Sequence, residues 1–317
     1  MKKLNAIFQK QGGWKLIRKY WQSRVLSTAV MQFVMLGKSR TALEILRLSV
    51  QMKVKKKIKK RYYTTLVKFD QTYSQDLLNK SSNKVWVCWF QGLEHAPSIV
   101  KKCYESLKNN LVNREIILLT AENFLDYVQF PEYIIEKWHS GIITHAHMTD
   151  LLRLELLIKY GGTWIDATVF CSRKENEIPA FYFESDLFVY QCLKPGRDGH
   201  SYINSSWYMN AKSNNKVLMA VRHLCYEYWK SQNVLKDYFL LHCFMAIALE
   251  YFEEEWNNII PICNSTPHIL LLRLFEPYKD TVWDAVRDIT PFHKLSYKFD
   301  ESQNANEMTY YSRILGE

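Results

Sequence analysis

Between residues 83 and 166 the chain alternates short apolar runs with longer amphipathic stretches. Val85-Trp86-Val87-Cys88-Trp89-Phe90 is apolar throughout at strand length, the pattern of a strand buried on both faces, and Gln91-Gly92 breaks it. Pro97 then opens an expected helix over 98–110, with Ile99, Val100, Cys103 and Leu107 on one face. Residues 115–119 read as a second buried strand, and Pro131 starts a helix that reaches His139. Residues 144–160 read as a long helix closed by Gly161-Gly162, and 163–166 as the next short strand. This alternation predicts an α/β fold, Rossmann-like, with a mainly parallel sheet flanked by helices. Ligands of such sheets bind beyond the carboxyl ends of the strands, where Phe90, Gln91 and Asp166 fall. The remainder reads as helix-rich, over 214–230, 236–252 and beyond Pro267.

The first 62 residues follow a different pattern. Trp14, Ile17, Trp21, Val25 and Leu26 recur at helical spacing with Lys15, Arg18, Lys19 and Arg24 between them. Gly37 separates this stretch from a second expected helix over 41–50, and a lysine tract occupies 53–61. Residues 63–82 read as a polar connector, and the body occupies 83–317.

Charge sharpens the division. Residues 1–70 carry 18 Lys and Arg against 2 Asp and Glu, a net of +16, so with +10 overall the rest of the chain is at −6. Two readings compete for residues 1–62: a helical collar with solvated charges, or an amphipathic anchor on an anionic membrane surface. The second is favoured. Nucleic acid is not an expected partner, because no helix-turn-helix, zinc-finger or RNA-binding signature accompanies the charges. The basic start lacks the apolar core of a signal peptide, and residues 25–36 are too short and polar to span a bilayer. The expected location is cytoplasmic, peripheral on the inner face of the plasma membrane. The seven cysteines include no Cys-x-x-Cys pair and are expected to be buried, reduced thiols.

The candidate chemistry centres on Asp166. A carboxylate in a turn at a strand end can hold Mg²⁺ or Mn²⁺ against a diphosphate; the plainer reading is a turn-capping Asp. Asp150 and Arg153 share one face of a helix otherwise rich in leucine. They are either a buried structural pair, or a donor-positioning pair in which Arg153 meets phosphate or Asp166.

The combined motifs resemble the bacterial capsular polysaccharide synthesis glycosyltransferases. These are relatives of the Asp-X-Asp sugar-binding-region group that includes yeast-type mannosyltransferases. The resemblance rests on residues 85–92 with Ala96-Pro97 and Cys103-Tyr104-Glu105-Ser106-Leu107. It continues through Ile143-Thr144-His145-Ala146-His147-Met148-Thr149-Asp150-Leu151-Leu152-Arg153 and Tyr160-Gly161-Gly162-Thr163-Trp164-Ile165-Asp166-Ala167-Thr168. Looser similarity extends through Asp237-Tyr238-Phe239-Leu240, Thr266-Pro267-His268 and His293-Lys294-Leu295, so that it covers roughly residues 83–298.

The resemblance implies a GT-A fold, a nucleotide-sugar donor such as a UDP-sugar, a divalent Mn²⁺ or Mg²⁺ and retention of configuration. It also implies a capsular or exopolysaccharide acceptor carried on a lipid diphosphate. Asp166, Asp150 and Arg153 are then the catalytic candidates. Trp89, Phe90, Gln91, Gly92, Gly161, Gly162 and Thr168 are candidates to line the donor site. Where the wider group has a second carboxylate this chain has Thr168, so His242 or His268 is a candidate to complete a metal site at Asp166. A nucleophile, if there is one, is sought at Asp237 or Glu184. The competing reading is a non-catalytic glycan-binding or scaffold relative with an impaired metal site.

Overall fold

The computed structural model describes residues 13–74, 78–192, 201–299 and 308–316. The first twelve residues of the expected anchor lie outside them.

Three helices come first: α1 (Gly13–Gln22), α2 (Leu26–Leu36) and α3 (Arg40–Thr72). Gly37, at φ 76°, caps α2, and the Ser39 side chain caps α3 by accepting from the Ala42 N–H. The lysine tract and the first ten residues of the expected connector all belong to α3, which stops only at Thr72. Its buried residues Val50, Val54, Ile58, Tyr62 and Leu66 recur every four positions and form one apolar stripe. That stripe joins the main core, where Tyr62 meets the rings of Phe244 at 5.4 Å and Tyr228 at 6.0 Å.

The body follows with β1 (Lys84–Cys88), α4 (Ser98–Asn110), β2 (Glu115–Leu119), α5 (Glu132–His139), α6 (His145–Tyr160), β3 (Gly162–Ile165) and β4 (Val169–Cys171). After these come β5 (Leu187–Gln191), β6 (Asn204–Ala211), α7 (Lys216–Ser231), α8 (Leu240–Tyr251), α9 (Asp280–Ile289), β7 (Phe292–Lys294) and α10 (Tyr310–Leu315). The central sheet has the order β2-β1-β3-β6-β5. Strand β1 is parallel to β2 and β3, whereas β6 is antiparallel to both its neighbours. Four of the five strands therefore point one way.

Both faces of the sheet are covered. Trp86, Cys88, Trp164 and Met209 face the helices α3, α6, α7 and α8, whereas Val85, Val87, Ile165 and Tyr208 face α4 and the C-terminal elements. The period-two alternation thus divides one apolar run between two cores. A separate antiparallel ribbon pairs β4 with β7, matching Val169 to Lys294 and Cys171 to Phe292.

Strands β4 to β7 are additional to the elements expected from the sequence. In β6, every residue of Asn204-Ser205-Ser206-Trp207-Tyr208-Met209-Asn210-Ala211 is buried, and hydrogen bonds make that burial tolerable for Ser205, Ser206 and Asn210, whereas the Asn204 side-chain amide has no partner among the described residues. The Asn210 side chain, for instance, accepts from Thr163 Oγ1 at 3.0 Å and donates to the Ser185 carbonyl at 2.8 Å.

Candidate active site

The chain leaves β1 at Cys88 and β3 at Ile165 along the same sheet edge, and β6 enters there because it runs the other way. A cleft of about 490 Å³ opens at this edge. Its walls come from residues 88–91, the first turns of α6, Trp164, residues 166–168, Ser206 and Trp207, the start of α8, and Lys294. Trp89, Phe90, Gln91, Asp150, Arg153, Asp166, Thr168 and His242, drawn from four separate stretches of sequence, all line it.

Helix α6 carries His147, Asp150 and Arg153 on one face, at spacings of three residues. Thr144 caps it through the His147 N–H. Trp229 Nε1 donates to His147 Nε2 at 2.9 Å, so in neutral His147 the proton sits on Nδ1, 3.2 Å from Asp150 Oδ2. Asp150 Oδ1 lies 3.2 Å from Arg153 Nη2, and the same nitrogen lies 3.6 Å from Asp166 Oδ1. Arg153 also donates to the Ser206 carbonyl and to Ser206 Oγ at 2.9 Å, and stacks 4.8 Å from the Trp164 ring.

Asp166 receives a hydrogen bond from Trp164 Nε1 at 3.0 Å and faces Lys294 Nζ at 3.1 Å. Lys294 Nζ also donates to Thr168 Oγ1 at 2.5 Å. The ribbon makes this contact possible: Lys294 is paired with Val169, and the Leu295 N–H donates to the Thr168 carbonyl. Burial by itself would raise the pKa of Asp166; the positive charges of Lys294 and Arg153, with the hydrogen bonds from Trp164 and Lys294, outweigh it and hold the carboxyl below its ordinary range.

The result is a line of alternating charge, Asp150, Arg153, Asp166, Lys294, at one sheet edge. Asp150 and Asp166 are the two carboxylates lining the cleft, and each faces a cation. The Trp89 indole N–H is buried there and has no hydrogen-bond partner among the described residues.

Several candidates stand elsewhere. Strand β3 separates the glycine pair from Asp166 by about 13 Å at ~3.3 Å per residue, so Gly161 and Gly162 lie at the opposite sheet edge and do not line the cleft. Their role there is close packing. A Cβ on Gly162 would come 2.3 Å from the Lys84 carbonyl oxygen, and one on Gly161 2.9 Å from that of Lys80. Gly92, at φ 74°, closes the turn that presents Gln91 without itself lining the cleft.

His268 is held against the Asn264 carbonyl and the Trp207 ring, outside the lining, whereas His242 lines the cleft with Nε2 3.2 Å from Ser206 Oγ. Asp237 is buried, with the Tyr202 hydroxyl donating to it at 2.5 Å and the Phe239 N–H at 2.9 Å; Glu184 is exposed at the end of a short helix. Neither lines the cleft.

The expected divalent cation does not match the donor set. Thr168 brings no charge, and its hydroxyl and Asp166 Oδ2 are already joined to Lys294. Among the described residues no group of three or more His, Cys, Asp or Glu could hold a metal ion. Lys294 itself brings a positive charge to Asp166 and Thr168. The sequence offered one signal for it, a lone cation between the apolar residues Phe292 and Leu295.

The family model of capsular polysaccharide synthesis proteins matches residues 39–314. The chain belongs to this family. Two fungal relatives are similar over a shorter stretch. One is the O-glycosyltransferase PaGT of Phomopsis amygdali, 25% identical over 155 residues, covering 42% of this chain and 36% of that protein. The other is the O-glycosyltransferase braB of Annulohypoxylon truncatum, 30% identical over 132 residues, covering 37% and 31%. The matched stretch thus spans about a third of each relative. Among solved structures, the PaToxG glycosyltransferase aligns over 83% of this chain and 95% of its own, with 12% identity and a TM-score of 0.36.

Proposed function

We propose that this chain is a glycosyltransferase of GT-A type that moves a hexose from a nucleotide sugar, a UDP-sugar in our reading, to a lipid-linked glycan of capsule or exopolysaccharide assembly. The observation that carries this is the alternating charge line around Asp166 in a cleft with aromatic walls, at the strand ends where α/β sheets bind ligands. The family and the names of both relatives agree with it.

In this reading the donor diphosphate lies over Arg153 and Lys294, whose positions are fixed beforehand by Asp150, Asp166, Ser206 and Thr168. Preorganised cations stabilise charge that grows on a leaving group without reorganising at the moment of reaction. The Trp89 N–H and Gln91 supply polar contacts to the nucleotide. Both lining carboxylates are engaged by cations, so neither serves as nucleophile. The acceptor oxygen bonds to the anomeric carbon as the bond to the departing phosphate breaks. The acceptor proton passes to that phosphate, on the same face, with retention.

Membrane association rests on the outer helices. Trp14 is 74% exposed and Trp21 71%; on α2 Val30, Met31, Val34 and Met35 are exposed as well. Among the described residues no helix is long and apolar enough to cross a membrane. Exposed aromatic and aliphatic side chains beside a net charge of +16 suit an interfacial position on anionic lipid, at the inner face of the plasma membrane.

The test is a screen of UDP-, GDP- and other nucleotide sugars with lipid-linked acceptors, scoring nucleotide release with Mn²⁺, with Mg²⁺ and with EDTA. Turnover of one donor that is lost in Asp166→Asn is expected. Silence with every donor and acceptor, and no thermal shift with any donor, would make the chain a non-catalytic relative.

A further inference from the structure

A second cavity, of about 520 Å³, lies at the seam between the N-terminal helices and the body and shares no lining residue with the cleft. The α1–α2 turn supplies Ser23 and Arg24, α3 supplies Lys57, Arg61 and Tyr62, and the end of α7 with the residues beyond it supplies Tyr228 and Lys236. Four of the lining side chains are cations and none is a carboxylate. None of the four cations forms a salt bridge among the described residues, although eighteen bridges form elsewhere.

The seam is held in shape by hydrogen bonds that leave these charges uncompensated. Lys57 Nζ donates to the Arg24 carbonyl at 2.6 Å, Arg61 Nη2 to Ser231 Oγ at 3.2 Å, and Ser23 Oγ to the Lys236 carbonyl at 3.2 Å. Tyr228 fixes the loop by donating to the Val234 carbonyl and accepting from the Lys236 N–H. Arg24 itself sits at φ 55°, a left-handed conformation unusual for a side chain of its size. The buried Tyr62 hydroxyl finds no hydrogen bond of good geometry, although Ser231 lies within reach.

Carboxylates on neighbouring elements are committed elsewhere: Asp237 to Tyr202, Glu227 to Lys230, and Glu250 to Lys55 and Lys59. Burial lowers the pKa of both Lys57 and Lys236, and neighbouring cations lower it further: Lys53 and Arg24 for the first, Arg61, Arg24 and Lys57 for the second. Like charges gathered at a concave surface lose stability unless an anion joins them.

The geometry points to a second binding site, in which Arg24, Lys57, Arg61 and Lys236 hold a phosphate-bearing group, a mono- or diphosphate. Guanidinium forks and ammonium groups converging from three elements suit several phosphate oxygens at once. The neighbouring exposed Trp21 would place such a group at a membrane surface if it belongs to a lipid. A soluble phosphate offers the same chemistry. The site needs no transfer activity, so its failure and that of the transferase reading are separable.

The test compares the full chain with a pocket variant, Arg61→Gln with Lys236→Gln. A charge-matched control, Lys56→Gln with Lys60→Gln, changes exposed residues of α3 outside the cavity. Calorimetry with inorganic pyrophosphate reads the soluble source. Co-sedimentation with phosphatidylcholine vesicles, with and without phosphatidic acid, reads the lipid source.

Pyrophosphate affinity about tenfold or more weaker in the pocket variant than in the control is expected, the loss of at least one charge-assisted contact. A selective loss confined to phosphatidic acid vesicles supports the site and names a lipid headgroup; one confined to pyrophosphate supports it and names a soluble ligand. Binding left in the pocket variant belongs to another site. Lys57→Gln repeats the comparison if the double variant unfolds. Equal weakening in pocket and control variants, no weakening in either, or no binding by the unaltered chain in both arms would overturn the proposal.

Discussion

The two cavities are similar in volume and opposite in electrostatic design. In the cleft each cation faces a carboxylate: Arg153 lies between Asp150 and Asp166, and Lys294 rests on Asp166. At the seam Arg24, Lys57, Arg61 and Lys236 line a cavity with no carboxylate in it. Compensated charge is rigid and costs little in the empty protein, so it suits a site that must be in place before a reaction begins. Uncompensated charge is costly until an anion arrives, so it suits tight holding. On the proposed readings, the cleft takes a transient diphosphate and the seam a resident phosphate.

The sharpest way to break this comparison is to remove Lys294. If its ammonium supports the leaving diphosphate, Lys294→Gln lowers kcat/KM by about 10²–10³, the usual result of removing one preorganised stabilising group. Asp166→Asn also lowers it, and the double variant falls well short of the product of the two losses, because the pair acts as a unit. EDTA leaves the wild-type rate within about tenfold, a loss under ~1.4 kcal/mol. Steady-state rates of nucleotide release check all three, and a rate abolished by EDTA would return the diphosphate to a metal ion.

A second prediction concerns the inner end of the charge line. Trp229→Phe removes the N–H that fixes the proton position of His147, which is 1% exposed, and leaves Nε2 without its donor. The expected loss is about 1–3 kcal/mol of stability, read from the urea midpoint. A change below the error of that midpoint would mean that the line is not continuous past Asp150.

Much of this architecture was legible in the sequence, and what escaped has physical causes. Strands β1 to β3 and helices α4 to α7 show their periods because both sheet faces and the inward helix faces are apolar. Strand β6 does not, since it places polar Ser and Asn side chains inside the core, where Ser205, Ser206 and Asn210 are satisfied by hydrogen bonds. The lysine tract hid the continuity of α3, whose apolar stripe, Val50 to Leu66, has one residue per four. In the site, Asp150, Arg153 and Asp166 converge as their spacing suggested. The glycine pair misled because adjacency in sequence is not adjacency in space: a four-residue strand carries Asp166 to the other edge. The role of Lys294 is not legible in the sequence because the pairing of two three-residue strands, too short to show a period, brings it to Asp166.

On a smaller scale, stability rises with pH in both regions because both folded pKa values are lowered, but at the cleft the charged form is a gain and at the seam it is a cost. Because the folded pKa of Asp166 is lowered, its ion pairs add stability above the ordinary value of 3.8, and this is lost as pH falls through the folded pKa. The melting-temperature gap between wild type and Asp166→Asn therefore narrows in acid. At the seam the folded pKa of Lys236 is lowered from 10.5, so the folded chain releases its proton first. Below the folded pKa the charged lysine is a net cost, and that cost is relieved as pH rises from the folded value towards 10.5. Lys236→Gln is accordingly neutral or slightly stabilising at pH 7 without phosphate, by less than about 1 kcal/mol for a side chain only partly buried, whose charge solvent still screens. The advantage over wild type shrinks as pH rises towards 10.5. Added pyrophosphate reverses the order at neutral pH, because only the wild-type seam has its full set of cations to offer. Melting curves across pH, with and without pyrophosphate, read all of these effects, and a Lys236→Gln variant less stable than wild type in phosphate-free buffer would mean that the seam cations are compensated after all.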